Sequence, residues 1–128
     1  MRIYQQILPL FMLALVLSGC ASANITNLTP SRYDRNMSGL YQVAAQMDSD
    51  QQTLLWKTIR PNVLIGNKAY PMQPTPLMHN RWETLIPVAP GTNVVYYSFK
   101  FDFDYTGMGK QNRDSKLSPT YSLDIRDK

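Results

Sequence analysis

The stretch "NVVYYSFKFDFDY", Asn93 to Tyr105, resolves into two interleaved sets of residues. Val95, Tyr97, Phe99, Phe101, Phe103 and Tyr105 make one set, and Val94, Tyr96, Ser98, Lys100, Asp102 and Asp104 the other. Successive side chains of a strand point to opposite faces, so this period of two predicts a half-buried strand. Wound into a helix, the same charges would scatter around the whole circumference.

Flanking segments repeat the pattern. Arg81 to Val88 (RWETLIPV) puts Trp82, Thr84, Ile86 and Val88 on one face, and Ala89-Pro90-Gly91-Thr92 then turns the chain into the aromatic strand. Asn62 to Met72 reads as a hairpin around Gly66-Asn67, a pair that tolerates positive φ. Thr120 to Arg126 alternates Tyr121, Leu123 and Ile125 against Ser122, Asp124 and Arg126, and Ile25 to Tyr33 is the candidate first strand. Gly39 to Thr58 fits two descriptions. Tyr41, Val43, Ala45 and Met47 alternate, whereas Leu40, Val43, Ala44, Met47, Leu54, Leu55 and Thr58 lie near helical spacing. Asp48-Ser49-Asp50 divides the run, which favours two short strands over one helix. Prolines at 61, 71, 74, 76, 87, 90 and 119 interrupt the chain too often for long helices. About seven short strands with frequent turn signals predict an all-β fold, an antiparallel β-sandwich.

The N-terminus follows a different rule. Arg2 gives a positive start, Ile7 to Leu17 (ILPLFMLALVL) is an eleven-residue apolar run, and small residues follow at Ser18 and Gly19. This is the layout of an export signal, a signal helix too short to span a bilayer permanently. Leu17-Ser18-Gly19-Cys20 resembles the lipobox of bacterial lipoproteins. The resemblance implies cleavage before Cys20, acylation of its thiol and new amino terminus with chains such as palmitate, and a place in the cell envelope. With Ala21 rather than aspartate next, it also implies the outer membrane where one exists. The expected organisation is a lipoprotein signal peptide at 1–19, a lipidated tether at 20–27 and a β-sandwich domain at 28–128. Cys20 is the sole cysteine of the 128 residues, so the mature domain would hold no disulfide and no thiolate metal site.

Removing Arg2 with the signal leaves twelve basic against nine acidic residues. So mild an excess lacks the dense basic stripe of a nucleic-acid binder, and no nucleic-acid partner is expected. Pro90-Gly91 followed by Tyr97-Ser98-Phe99-Lys100-Phe101-Asp102 resembles the strand of immunoglobulin-like modules attached to starch and glycogen enzymes. The gap from Gly91 to Tyr97 is longer than in that family, and Tyr105 stands where the family turns on glycine. The likeness implies an immunoglobulin-like fold and not sugar binding. The whole chain is also similar to small bacterial lipoproteins.

Four motifs carry possible chemistry. Asp102-x-Asp104-x-Thr106-Gly107 opens like a calcium loop, but its ninth and twelfth positions are Lys110 and Arg113. Two cations in a cation site oppose binding, so acids on the solvent face of a strand are expected, with no metal and no cofactor. His79 and Glu83 are each the sole residue of their type, and no nucleophile elbow or acid pair accompanies them. No catalytic residue is assigned, and His79 is expected to make a backbone hydrogen bond. Asn24-Ile25-Thr26, Asn27-Leu28-Thr29 and Asn36-Met37-Ser38 match the N-glycosylation pattern, which would be accidental in a bacterial lipoprotein. Aromatic faces stack on sugar rings, and Tyr96, on the polar side of its strand, is the candidate ligand-binding residue; it suits core packing equally. Trp56 and Trp82 are expected in the core, Trp56 because it falls near the third strand, where sandwiches often bury one.

The resulting expectation is a membrane-anchored, non-enzymatic domain that binds a protein partner or serves as a structural piece of the envelope. The alternative is a module that binds surface polysaccharide. Exposed aromatics in a row, flanked by amides or carboxylates, would mark the second; an uncovered strand edge or apolar patch would mark the first.

Overall fold

The apolar alternations of Leu40–Ser49, Arg81–Pro87, Val94–Gly107 and Tyr121–Arg126 become strands that turn most of their apolar side chains inward. The computed structural model describes residues 23–128, so Cys20 and the signal segment 1–19 lie outside the described residues. Ten strands follow one another: β1 (Ala23–Asn27), β2 (Arg32–Asp34), β3 (Leu40–Ser49), β4 (Leu54–Ile65), β5 (Lys68–Pro71), β6 (Gln73–Pro74), β7 (Arg81–Pro87), β8 (Val94–Gly107), β9 (Lys110–Leu117) and β10 (Tyr121–Arg126). One sheet runs β1-β3-β7-β6 and the other β2-β10-β8-β4-β5, with β9 also paired to β8. All pairings are antiparallel except that of β2 with β10. The fold is all-β, two sheets packed together in the manner of a β-sandwich.

The core lies between the sheets. β8 supplies Tyr97, Phe99, Phe101 and Phe103, and β3 supplies Tyr41, Val43, Ala45 and Met47. Trp82 of β7 meets the edge of Phe101 at 5.4 Å between ring centres. Fully burying one such side chain contributes about 1.5–3 kcal/mol, so this aromatic row is a principal source of stability. The Tyr97 hydroxyl accepts a 2.8 Å hydrogen bond from Asn27 Nδ2, which satisfies its polar atom. Tyr33 on β2 donates to the Gln42 carbonyl of β3 at 2.7 Å, joining the two sheets, and burial raises its pKa, helped by Tyr97.

Three features differ from the sequence expectation. Ala23–Asn27, read as part of the tether, pair with β3 from Ala23↔Ser49 to Asn27↔Ala45, so the folded segment begins no later than Ala23. β9 (KQNRDSKL) has no apolar alternation and was not expected as a strand. Its partner β8 creates it, because an eight-residue ladder satisfies its backbone and leaves most of its side chains in solvent. Ser118 then binds both backbone groups of Phe99, through its N–H and its Oγ, and carries the chain on into β10 along the same side of β8. The third concerns Trp56. The β4–β8 register shifts between Leu55 and Arg60, and such a bulge turns side chains out of the ladder. Trp56 is therefore 37% exposed, and the buried tryptophan is Trp82 at 5%. The segment from Leu40 to Thr58 forms strands and not a helix.

The ends of the sandwich are chemically distinct. At the amino end, Ala23 pairs with Ser49, β4 begins, Thr106 N–H donates to Thr53, and Met47 N–H donates to Asn80. At the far end, β3 begins, β7 finishes beside it, and β10 runs out next to the start of β8. The ten residues of β3 separate these ends by about 33 Å.

Candidate functional site

The far end carries a groove of about 250 Å³ lined by Met37, Leu40, Tyr41, Pro87, Ala89 and Pro90, among others. Its lip is the loop Asn36-Met37-Ser38-Gly39, and the Asn36 side chain fastens it. Asn36 Oδ1 accepts from Gly39 N–H at 2.8 Å and from Ser38 Oγ at 3.0 Å, while Asn36 Nδ2 donates to the Leu40 carbonyl at 2.9 Å. The Asn36 N–H donates to the hydroxyl of buried Tyr41 at 3.1 Å. The carbonyl oxygen of Gly39, a residue at φ +71°, accepts from Val88 N–H at 2.8 Å. The result is a fully exposed Met37 on a fastened loop. Methionine adapts its shape to a partner, and a loop already ordered loses little entropy on binding.

Arg35 braces the groove from behind. Its guanidinium reaches Asp127 at 2.6 Å, the Thr92 carbonyl at 3.1 Å and Asn93 Oδ1 at 2.8 Å, linking three chain segments. Leu40 opposite Pro87, with Leu85 next along β7, extends the apolar surface onto the outer face of the β3–β7 pair. Besides the glycosylation pattern, Asn36-Met37-Ser38-Gly39 carries the signal of an asparagine-fastened turn.

The amino end carries an open cleft of about 410 Å³ between Asn24, Asp48, Asp50, Trp56, His79 and Asn80. His79 lies edge-on to Trp56 with ring centres 5.9 Å apart. Asp48 accepts from Gln46 at 2.7 Å and from Asn80 at 3.2 Å. An indole beside carboxylates and amides can pack against the C–H face of a polar ring while its neighbours hydrogen-bond hydroxyls. Among the described residues, no group of three His, Cys, Asp or Glu side chains could hold a metal ion.

The remaining expected site residues are scattered. Tyr96 is 64% exposed and opposite Ser122. Trp56 sits level with the Asp104 end of β8, so about eight residues of strand, roughly 26 Å, separate these two aromatics. They do not form a row. Glu83 accepts from Gln42 on the outer face of β7. Asp104, expected in solvent, is 6% exposed. Gln111 donates to it at 2.8 Å, Arg60 at 3.3 Å, and Arg113 stands 3.8 Å away. The Gln111 hydrogen bond, with Arg60 and Arg113 behind it, lowers the Asp104 pKa against the opposing effect of burial. Of the two cations that break the calcium pattern, Arg113 of β9 is thus an ion partner of its acid, joined by Arg60 of β4. Asp102 pairs with Lys100 at 3.8 Å. No family model matches this chain, and neither a curated protein nor a solved structure matches it.

Proposed function

We propose that this chain is a lipid-anchored protein of the cell envelope whose immunoglobulin-like sandwich has no catalytic role and holds a protein partner at its far end. The strand order supports the fold type. Taking β9 and β10 together as the last strand, one sheet follows A-B-E-D and the other G-F-C-C′, the immunoglobulin arrangement, and β2 lies parallel to β10. The lipobox at Leu17 to Cys20 supports the anchor. The non-catalytic reading rests on dispersal: His79 packs on Trp56, and Asp104, whose pKa is lowered, is held in ion pairs between strands.

The observation that carries the binding role is Met37, displayed on the Asn36-fastened loop over an apolar groove. A photo-crosslinker installed at Met37 in cells should trap one discrete protein species, and the same group at exposed Lys68 should trap none. Absence of any species at Met37 sinks the partner reading. Cys20→Ser should release the chain from membranes.

A polysaccharide ligand is the second reading, and the Trp56 cleft with Asp48 and Asn80 is what favours it. Glycan-array binding that is lost on Trp56→Ala would establish it over the first.

A further inference from the structure

We infer that the amino end of the sandwich rests on the membrane, with Leu77 and Met108 inserted into the lipid interface; this rests on the anchor reading. Cys20 lies three residues before Ala23, and three Cα steps span at most about 11 Å. A lipid at Cys20 therefore holds this end, and no other, against the bilayer.

The loops at that end are unusual in what they display. Leu77 and Met108 are both fully exposed, and both occupy positive φ, +66° and +52°. Met78 N–H donates to the Thr75 carbonyl at 3.1 Å, closing a turn with Pro76 second and Leu77 third. That third position normally takes glycine or asparagine. Met108 and Gly109 form the two-residue turn between β8 and β9, where Asn-Gly is the common choice. Two apolar side chains thus stand at loop tips where neither folding nor packing asks for them.

Neighbouring residues fit the same surface. Met78 and Trp56 are partly exposed at this end, and indoles favour the boundary between lipid and water. Lys57, next to Trp56, and Lys110, next to Gly109, are exposed and can meet lipid phosphates. Asp48 is engaged by Gln46 and Asn80. A bilayer is the occupant the geometry selects, because the tether delivers these tips to it whatever else the protein binds.

The test uses the full chain, processed in cells and reconstituted into vesicles of phosphatidylethanolamine and phosphatidylglycerol. Leu77→Cys, Met108→Cys and, as the far-end control, Met37→Cys are each labelled with a polarity-sensitive fluorophore. Labels at 77 and 108 should shift to shorter wavelength and lose intensity with brominated lipids, while the label at 37 does neither. The mass of the same preparation reports acylation at Cys20. An acylated protein with unquenched labels at 77 and 108, or with equal quenching at 37, overturns this inference alone. A protein without acyl chains overturns the anchor reading and this inference together.

Discussion

Replacing Met108 should stabilise the protein. The β8–β9 hairpin closes in two residues, Met108 at φ +52° and Gly109 at φ +74°, with Gly107 paired to Lys110. A left-handed backbone brings Cβ close to the following carbonyl, which costs an L-residue about 1–2 kcal/mol; asparagine visits the region routinely. The Met108 side chain is fully exposed, so its removal forfeits no packing. Met108→Asn should therefore gain about 1 kcal/mol, which for a domain near 100 residues raises the melting temperature by roughly 4–8 °C. Thermal unfolding of the detergent-solubilised chain reads this directly. In urea the midpoint should rise with the slope unchanged, because the surface exposed on unfolding stays the same. An unchanged or lower melting temperature refutes the strain argument. The same variant should insert less deeply into vesicles, a gain of stability at the expense of a surface function.

The remaining predictions concern the core, the groove and the Asp104 ion pairs. Phe101→Ala removes a fully buried ring packed edge-on against Trp82 and should cost about 3–5 kcal/mol in urea unfolding. Gly39→Ala forces a side chain into φ +71° with its Cβ 3.3 Å from the Val88 carbonyl oxygen. It should destabilise by about 1–2 kcal/mol and weaken crosslinking at Met37. Asp104 has a folded pKa below its unfolded value of 3.8. As pH falls the unfolded chain takes up the proton first, so the stability Asp104 adds is present above about pH 4 and fades as pH drops towards the folded value. Asp104→Asn should lower the urea midpoint at neutral pH and flatten its fall below about pH 4; an unchanged slope there contradicts the assigned ion pairs.

How much could be read from the sequence depended on where each residue's partner lies. β8, β7 and β10 were legible because a half-buried strand writes its two faces into alternate positions, as Val95, Tyr97, Phe99 and Phe101 do. The same logic decided Leu40 to Ser49, where Tyr41, Val43, Ala45 and Met47 are all buried while Leu40 is exposed. β9 was illegible because its ladder partner, not its side chains, makes it a strand. About seven strands were expected and ten form among the described residues; β5 was announced by the Gly66-Asn67 turn that pairs it with β4, whereas β2 and β6, at three and two residues, are too short to carry a pattern.

The candidate site was harder to read. Trp56 has the composition of a core residue, and only the register shift in β4 turns it outward. Asp104 carried real chemistry, but that chemistry is ion pairing with Arg60 and Arg113 across strands. Met37 gave no signal of its own. Its display depends on Asn36, which bonds to Tyr41 five residues on, and on Gly39, which is held by Val88 just past β7, and the second link is not local in sequence.

In the proposed function, anchorage at Cys20 decides which end of the sandwich would face lipid and which a partner. The intact mass of protein purified from membranes tests it most directly. Anchorage predicts a chain that starts at Cys20 and carries diacylglycerol on its sulfur. A chain that still starts at Met1, with a free thiol at position 20, contradicts it.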